Sequence, residues 1–482
     1  MASITNTVTL DDGGLAIVRV KPLGAGGGGV EQSSTGLNDG EAALRFSPDQ
    51  RGIAVLINGA PKVFKYPKRV IPPSLDNAGL YDQFLPQRVE AFFNGVNVNV
   101  MAYGQTGTGK THTMFGPPGI MERAGKGQYG CGIETTYGLF PRAIIHIFQR
   151  AKALGDACVL TCSAIELSMF GNKCMFDTGR ECRSQGMSDS SCYGVTIDKA
   201  HKPPRMYGMV EHVLDDEKAV LRVFEAIATR NTKGTGMNND SSRTHCFVFL
   251  KLYMKVGDGE KIRISRFQFV DLAGSERIEE ATGSKNFRES NDGWTGMVTN
   301  FSLTMLSACV RALVQQRARE KKTGAKPKAF SFRTYVFDLV LLLSESMQGS
   351  ALTAVIVCCS QAPANASQTT NALDFGSVFA KLRVRGKPVK PVLLAKLIKD
   401  VKTLKTEAER VLASSSTSVR YTNIRKAQKL DADNMLRIFS LLRGGGGGGG
   451  VGGRGTEEGS GGSGGDKKKS DGGRGGSSGR KK

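Results

Sequence analysis

Gly104-Gln105-Thr106-Gly107-Thr108-Gly109-Lys110-Thr111 fits the phosphate-loop pattern G-x-x-x-x-G-K-[ST]. Glycines at these positions let consecutive backbone N–H groups turn toward a polyphosphate, because no Cβ blocks the turn or the approach. Lys110 is then placed to reach the β- and γ-phosphates, and the Thr111 hydroxyl to hold Mg²⁺. Gln105, Thr106 and Thr108 fill the rest of the cradle. Upstream, Val96 to Tyr103 is short, apolar and β-branched, as a buried strand should be. Downstream a helix is expected, its positive end facing the same anion.

Two further stretches supply what a phosphate cradle lacks. They are Asn238-Asn239-Asp240-Ser241-Ser242-Arg243-Thr244-His245 and Val270-Asp271-Leu272-Ala273-Gly274-Ser275-Glu276. Nucleotide hydrolysis needs groups near Mg²⁺, groups that hold the attacking water and a sensor of the γ-phosphate. Asp271 ends an apolar run, Phe267 to Val270, and so sits where a second Mg²⁺-associated carboxylate belongs. Gly274 can offer its N–H to the γ-phosphate without hindrance. Ser241 and Ser242 bring hydroxyls. Arg243 and Glu276 are opposite charges on separate segments, able to close as a latch around a bound nucleotide.

Together these stretches resemble the kinesin motor-domain family. Gly104 to Met114 is similar to its G-Q-T-x-x-G-K-T-[HY]-T-M, Asn238 to His245 to its N-x-x-S-S-R-[ST]-H switch, and Asp271 to Glu276 to its D-L-A-G-S-E switch. Val18-Arg19-Val20-Lys21-Pro22 resembles V-R-V-R-P, Asn300 to Leu303 resembles N-x-S-L, and Asn371 to Gly376 resembles the last motor helix. The likeness covers roughly residues 14–385. It implies an α/β fold, the P-loop NTPase kinesin motor fold, with a central mixed β-sheet flanked by helices on both faces. It implies ATP and Mg²⁺ as ligands, Mg²⁺ being held by Thr111, Ser242 and Asp271. His112 and Pro22 would sandwich the adenine with Arg19 nearby; Lys21 stands where the family usually has arginine. No N-K-x-D guanine motif occurs, so ATP is expected rather than GTP. The implied activity is an ATPase that drives movement on microtubules, with a cytoplasmic place on the cytoskeleton. The rival reading is a non-motile microtubule-binding or scaffold protein that uses ATP as a conformational switch.

Composition is compatible with this. The 482 residues carry 66 Lys+Arg against 44 Asp+Glu, a net charge of +22, which favours an acidic partner surface. Given the resemblance, that partner is expected to be tubulin rather than nucleic acid. No apolar run approaches the roughly 20 residues of a bilayer span. The ten cysteines are scattered without a C-x-x-C pair and read as reduced core thiols.

Around the motor lie appendages. Residues 1–13 read as a flexible leader. Residues 25–40, 116–132 and 177–191 read as surface loops. Residues 386–443 read as a neck-linker-like segment, containing Pro388 and Pro391, followed by helical structure. Leu394, Leu397, Val401, Leu404, Ala408 and Val411 recur at spacings of three and four, a seam shorter than the roughly three to four heptads that mark a coiled coil. Either a weak homodimer through 394–411 or a solitary helix folding onto the motor would use it. A second helix is expected from Thr422 to Arg443. Residues 444–482 are Gly/Ser/Lys-rich and read as a disordered tail.

The track face departs from the family. Arg317, Arg319, Lys321, Lys322, Lys326 and Lys328, with Glu320 the lone anion between them, read as a basic loop where the family meets the microtubule. The next family segment, P-Y-R-D-S-K-L-T, is replaced by Ser331 to Asp338, in which Arg333 survives. The Y-N-E element is blurred at Ser168 to Asn172, while Glu166 fits the glutamate just before it.

Overall fold

Runs of Val, Ile, Phe and Cys become strands here wherever both faces can be covered. Val98-Asn99-Val100-Met101-Ala102-Tyr103 and Leu352 to Cys359 are buried along their whole length, the pattern of inner strands in a sheet sandwiched by helices. The computed structural model describes residues 15–22, 42–57, 59–66, 69–168, 171–176, 195–198, 205–230, 244–275, 291–335, 337–382, 384, 386–414 and 419–444. The 1–13 leader, the 25–40 and 177–191 stretches and the tail beyond Gly444 therefore lie outside the described residues.

In chain order the strands are β1 (Leu15–Val20), β2 (Leu44–Phe46), β3 (Gly52–Ile57), β4 (Ala60–Lys65), β5 (Arg69–Ile71), β6 (Val98–Tyr103), β7 (Cys158–Ser168), β8 (Gly171–Cys174), β9 (Thr196–Asp198), β10 (Arg205–Tyr207), β11 (His212–Val213), β12 (His245–Val256), β13 (Lys261–Asp271), β14 (Leu352–Cys359) and β15 (Val392–Leu393). The helices are α1 (Asn77–Phe84), α2 (Pro86–Phe93), α3 (Lys110–Met114), α4 (Ile120–Gly125), α5 (Leu139–Leu154), α6 (Glu217–Ala228), α7 (Asn291–Thr323), α8 (Asp338–Gln348), α9 (Ala366–Phe379), α10 (Leu394–Ala413) and α11 (Val419–Leu442).

The main sheet runs β11-β7-β12-β13-β6-β14-β1-β5. From β13 to β5 neighbours are parallel; β12 pairs antiparallel with both β13 and β7. The sheet is thus mixed. Helices α1 to α6 pack on one face, through residues such as Phe92, Phe140, Ile144 and Phe224. Helices α7 to α9 cover the other, through Leu306, Val310, Leu343 and Phe375. This is the α/β fold with two helical layers that the motifs imply. A three-stranded antiparallel sheet, β2-β3-β4, lies apart from it.

Parallel strands place their carboxyl ends, and the loops that follow, along one edge, where ligands bind in α/β folds. That edge carries Arg19 from β1, Gly104 after β6, Asp271 ending β13 and Cys358 near the end of β14. Asp271 lies level with Ala102, and Arg19 with Cys358.

Two expectations are corrected by the fold. The 116–132 stretch is not all loop, since α4 forms inside it and packs against α6, where Gly125 leaves room for Glu225. The basic 317–328 stretch is mostly helix. Arg317, Arg319, Lys321 and Lys322 lie on the last turns of α7, and only Lys326 and Lys328 follow it. Arg, Ala, Glu and Lys are strong helix formers, so nothing stops the helix before Gly324. Gly324 takes a left-handed φ of 65°, a common helix stop, and Ala325 N–H closes on the Glu320 carbonyl at 3.1 Å. Of the two readings of the 394–411 seam, the one in which the helix folds onto its own chain agrees with the burial of Leu394, Val401, Ala408 and Val411. Among the described residues no helix is long and apolar enough to cross a membrane.

Candidate functional site

The phosphate loop is held by backbone geometry that only glycine accepts. Gly104 has φ 150°, and a Cβ there would lie 2.3 Å from the Cys358 carbonyl oxygen. Its own carbonyl accepts the Ser275 N–H at 3.1 Å, which ties the loop to the turn after Asp271. Behind it, Tyr103 stacks on Phe375 of α9 with centroids 4.0 Å apart. Lys110 opens the five-residue α3, is buried, and donates from Nζ to the Gln105 carbonyl at 2.9 Å. Gln105 donates to Asn365 Oδ1 at 3.0 Å.

Asp271 is the electrostatic centre. Its Oδ2 accepts from Thr111 Oγ1 at 2.8 Å and from the Arg230 guanidinium at 2.7 Å. Both Arg230 and Asp271 side chains are 1% exposed. Arg230 also donates to the Thr244 carbonyl at 3.0 Å and lies 3.6 Å from Glu166, whose Oε1 accepts from Thr244 Oγ1 at 2.6 Å. The second oxygen, Asp271 Oδ1, is buried without a hydrogen-bond partner among the described residues. A buried carboxylate oxygen left in this state calls for a donor or a cation. With the Thr111 hydroxyl beside it, the site suits a hydrated Mg²⁺, a hard ion that takes oxygen ligands and keeps its waters. No cluster of three or more His, Cys, Asp or Glu exists among the described residues that would hold a metal elsewhere.

His245 joins three elements at this centre. Its Nδ1 accepts from the Ala273 N–H at 3.1 Å, so Nε2 carries the proton and donates to Ser302 Oγ at 3.1 Å. Ser302 donates in turn to the Thr299 carbonyl at 2.6 Å. The chain runs from β12 through the 272–275 turn to α7. Burial, and then the charges of Arg230 and Lys110, push the His245 pKa down from 6.5 to about 3. The unfolded chain takes up this proton near 6.5 and the folded chain does not. Stability therefore falls as pH drops from 6.5 toward 3, by up to about 1.4 kcal/mol per unit, and is unaffected above that window. His245→Asn should flatten that slope in urea titrations between pH 6.5 and 4.5. An unchanged slope would mean that His245 is not held neutral.

On the far side of the loop, Arg19 donates to Asn77 Oδ1 at 2.6 Å and Thr113 Oγ1 at 2.7 Å. Asn77 donates to the His112 carbonyl at 3.1 Å. Arg19 thus braces the start of α1 against α3. Burial lowers the pKa of His112, and the Arg19 and Lys21 charges lower it further, which keeps its ring neutral and free to stack. Lys21 Nζ donates to the Gly107 carbonyl at 3.0 Å, so this lysine touches the tip of the loop. Pro22 follows β1 at the same edge.

Of the residues singled out from sequence, Arg19, Pro22, Gly104 to His112, Asp271 and Gly274 lie along this one edge. Ser241, Ser242, Arg243 and Glu276 lie outside the described residues. Of the basic group, Arg319, Lys321, Lys322, Lys326 and Lys328 are exposed, while Arg317 pairs with Glu320 at 3.2 Å. Glu320 also accepts the Lys328 N–H at 2.9 Å, which folds the turn back on α7. Arg333 falls on a short turn, Phe332–Thr334, and its side chain lies outside those described. Sequence reading missed Arg230, Asn77 and Thr113. Arg230 follows the amphipathic α6, where an arginine ordinarily faces water, and only the fold shows it buried.

The chain resembles known proteins along most of its length. The family described as “Kinesin motor domain” matches residues 46–382. “Kinesin-like protein KIF11-A” of Xenopus laevis is 27% identical over 352 residues, which cover 70% of this chain and 30% of that protein. “Kinesin-like protein KIN-5B” of Arabidopsis thaliana is 26% identical over 355 residues, 73% of this chain and 31% of that one. The chain thus spans about a third of the length of these curated relatives. A solved structure described as “Structure of a fast kinesin: Implications for ATPase mechanism and interactions with microtubules” aligns with a TM-score of 0.60 at 21% identity, covering 79% of this chain and 95% of that one.

Proposed function

The chain belongs to the kinesin motor-domain family, and from that premise we propose that it is an ATP-hydrolysing motor whose nucleotide cycle is coupled to microtubule binding and movement. The observation that carries the reading is the shared Asp271 carboxylate. One oxygen is held by Thr111 of the phosphate loop and by Arg230, just before the first switch; the other is buried and unpartnered. The carboxylate thereby joins the loop to the second switch directly and to the Thr244 carbonyl of the first switch through Arg230, and its unpartnered oxygen supports a metal beside it.

In this reading residues 14–385 form the motor, 386–443 a neck-linker-like segment with its helices, and 444–482 a tail. Lys110 and the amides of Gly104 to Thr111 hold the β- and γ-phosphates of ATP. Thr111, Ser242 and Asp271 hold Mg²⁺, which when bound offsets charge that develops on the phosphate oxygens. His112 and Pro22 enclose the adenine. Gly274 offers its N–H to the γ-phosphate, while Ser241 and the Arg243–Glu276 latch order the attacking water. Loss of the γ-phosphate opens the latch, and the His245–Ser302 contact hands that change to α7. The exposed cations Arg319, Lys321, Lys322, Lys326 and Lys328, with Arg317 and Arg333, face the acidic tubulin surface, and their grip should weaken with salt.

Glu276→Ala tests the latch. The variant should bind ATP with near-normal affinity and hydrolyse it at least about a hundredfold more slowly, in the range reported for losing one preorganised catalytic group. Wild-type turnover would remove Glu276 from the mechanism. One observation favours the rival reading of a non-motile microtubule-binding or scaffold protein: Ser331 to Asp338 replaces the family's contact segment. Microtubules gliding over surface-bound protein would exclude the rival; filaments held still through ATP turnover would favour it.

A further inference from the structure

The segment after the motor lies along the sheet with very little of its own to hold it. Lys387 N–H bonds the Ser350 carbonyl at 3.0 Å, Val389 N–H the Gly95 carbonyl at 2.9 Å, and Val392 and Leu393 pair with Ile262 and Lys261 of β13. The side chains of Val392 and Leu393 are 37% and 46% exposed. A two-residue strand with exposed side chains is marginal by itself. The burial begins one residue later. Leu394 opens α10 and is buried in a small core with Val401, Ala432, Ile438, Phe439 and Leu442, against Tyr253 and Ile262 of the motor sheet.

α11 is fastened to the motor at a different place. Asp431 Oδ1 accepts the Gly208 N–H at 3.0 Å, Asn434 donates to the Met209 carbonyl at 3.2 Å, and Arg437 donates to the Glu211 carbonyl at 3.4 Å. Phe439 sets its ring edge-on to Tyr253 at 6.4 Å. Tyr253 Oη, Thr161 Oγ1 and Lys251 Nζ all donate to the buried Glu211 carboxylate, at 2.6, 2.6 and 2.8 Å, so the anchor point is rigid. Lys405 and Lys429 of the two helices meet Asp433 and Glu409 across their seam at 2.6 and 3.4 Å.

We propose that α10 and α11 form a clamp built into the chain, which holds residues 386–393 docked on β13 whichever nucleotide the site carries, with the Phe439–Tyr253 contact as its closing point. The physical reason is connectivity. Leu394 belongs to the clamp core and directly follows β15, so the segment cannot leave β13 unless the helix pair also lets go. The burial that keeps the pair in place lies at Tyr253 of β12 and Ile262 of β13, at the ends of those strands opposite His245 and Asp271. The same packing consumes the α10 face that would pair with a second copy. The term “whichever nucleotide” rests on the function proposed above; the clamp itself does not.

Hydrogen exchange read by mass spectrometry on the full chain tests this. In the wild type, peptides spanning 386–394 should exchange slowly and equally without nucleotide, with Mg·ADP and with a non-hydrolysable Mg·ATP analogue. Phe439→Ala should speed their exchange at least tenfold, while peptides from 262–271 stay protected. If Phe439→Ala also exposes 262–271, the milder Asp431→Ala/Asn434→Ala variant decides, since it removes the α11 bonds to Gly208 and Met209 and no core volume. Unchanged protection of 386–394 in the variant overturns the clamp. So does a wild-type segment that loosens with one nucleotide and tightens with the other. Failure of a fluorescent nucleotide to bind would sink the function proposed above, while the nucleotide-free comparison would still judge the clamp.

Discussion

Lys110→Ala is expected to weaken nucleotide binding by roughly 30- to several-thousand-fold, the equivalent of about 2–5 kcal/mol for truncating one member of a buried, hydrogen-bonded charge contact. The expectation follows from position. Lys110 is buried at the start of α3 with its ammonium already aimed back over the loop at the Gln105 carbonyl. A phosphate entering the cradle needs only to displace or share that contact, and so gains a desolvated cation with little further ordering. Removing the charge leaves the glycine geometry of Gly104 intact, so the fold should persist, and thermal melting without ligand should move little. Titration of a fluorescent nucleotide would measure the loss. Binding within about threefold of wild type would show that the loop amides alone carry affinity, and that Lys110 is wrongly placed at the phosphates.

Arg230→Ala is expected to destabilise the fold by about 3–5 kcal/mol, because it strands a buried carboxylate without its cation. Against a typical total of roughly 5–15 kcal/mol that is severe. Arg230 and Asp271 are both enclosed at 2.7 Å, unlike the Arg317–Glu320 pair, whose arginine is 40% exposed and which belongs to the class contributing about 1 kcal/mol or less. Equilibrium urea unfolding reads the difference. Asp271→Asn in the same chain should recover part of the loss, since the stranded group is then neutral. A change below about 1 kcal/mol would mean that water reaches Asp271 and that the carboxylate is not the enclosed hub described here.

The parts of this molecule that could be read from residues alone are those where chemistry leaves few substitutes. A phosphate cradle needs its glycines, lysine and hydroxyl at fixed spacing, and the edge of parallel strand ends where Gly104, Asp271 and Arg19 meet follows from the motif's strand–loop–helix setting. The apolar stretch from Val96 to Tyr103 and the run from Phe267 to Val270 gave away β6 and the carboxyl end of β13. What stayed hidden depended on what covers a surface rather than on the surface itself. Arg230 looks like any cation after an amphipathic helix until the fold buries it beside Asp271. The seam from Leu394 to Val411 declares an apolar face, but sequence periodicity does not say whether a second copy, a partner or the chain's own α11 lies on it. The six cations from Arg317 to Lys328 suggest a loop by charge, yet their helix propensity prevails as far as Gly324. In each case a local pattern was present and its three-dimensional partner was not.

Steady-state ATP turnover with and without polymerised microtubules, at low and moderate salt, tests the central claim most directly. A microtubule-coupled ATPase should turn over slowly alone and be strongly stimulated by the polymer, with the stimulation falling as salt screens the α7 cations. Turnover that is the same with and without microtubules at low salt would contradict it, and would leave a nucleotide switch uncoupled from the track.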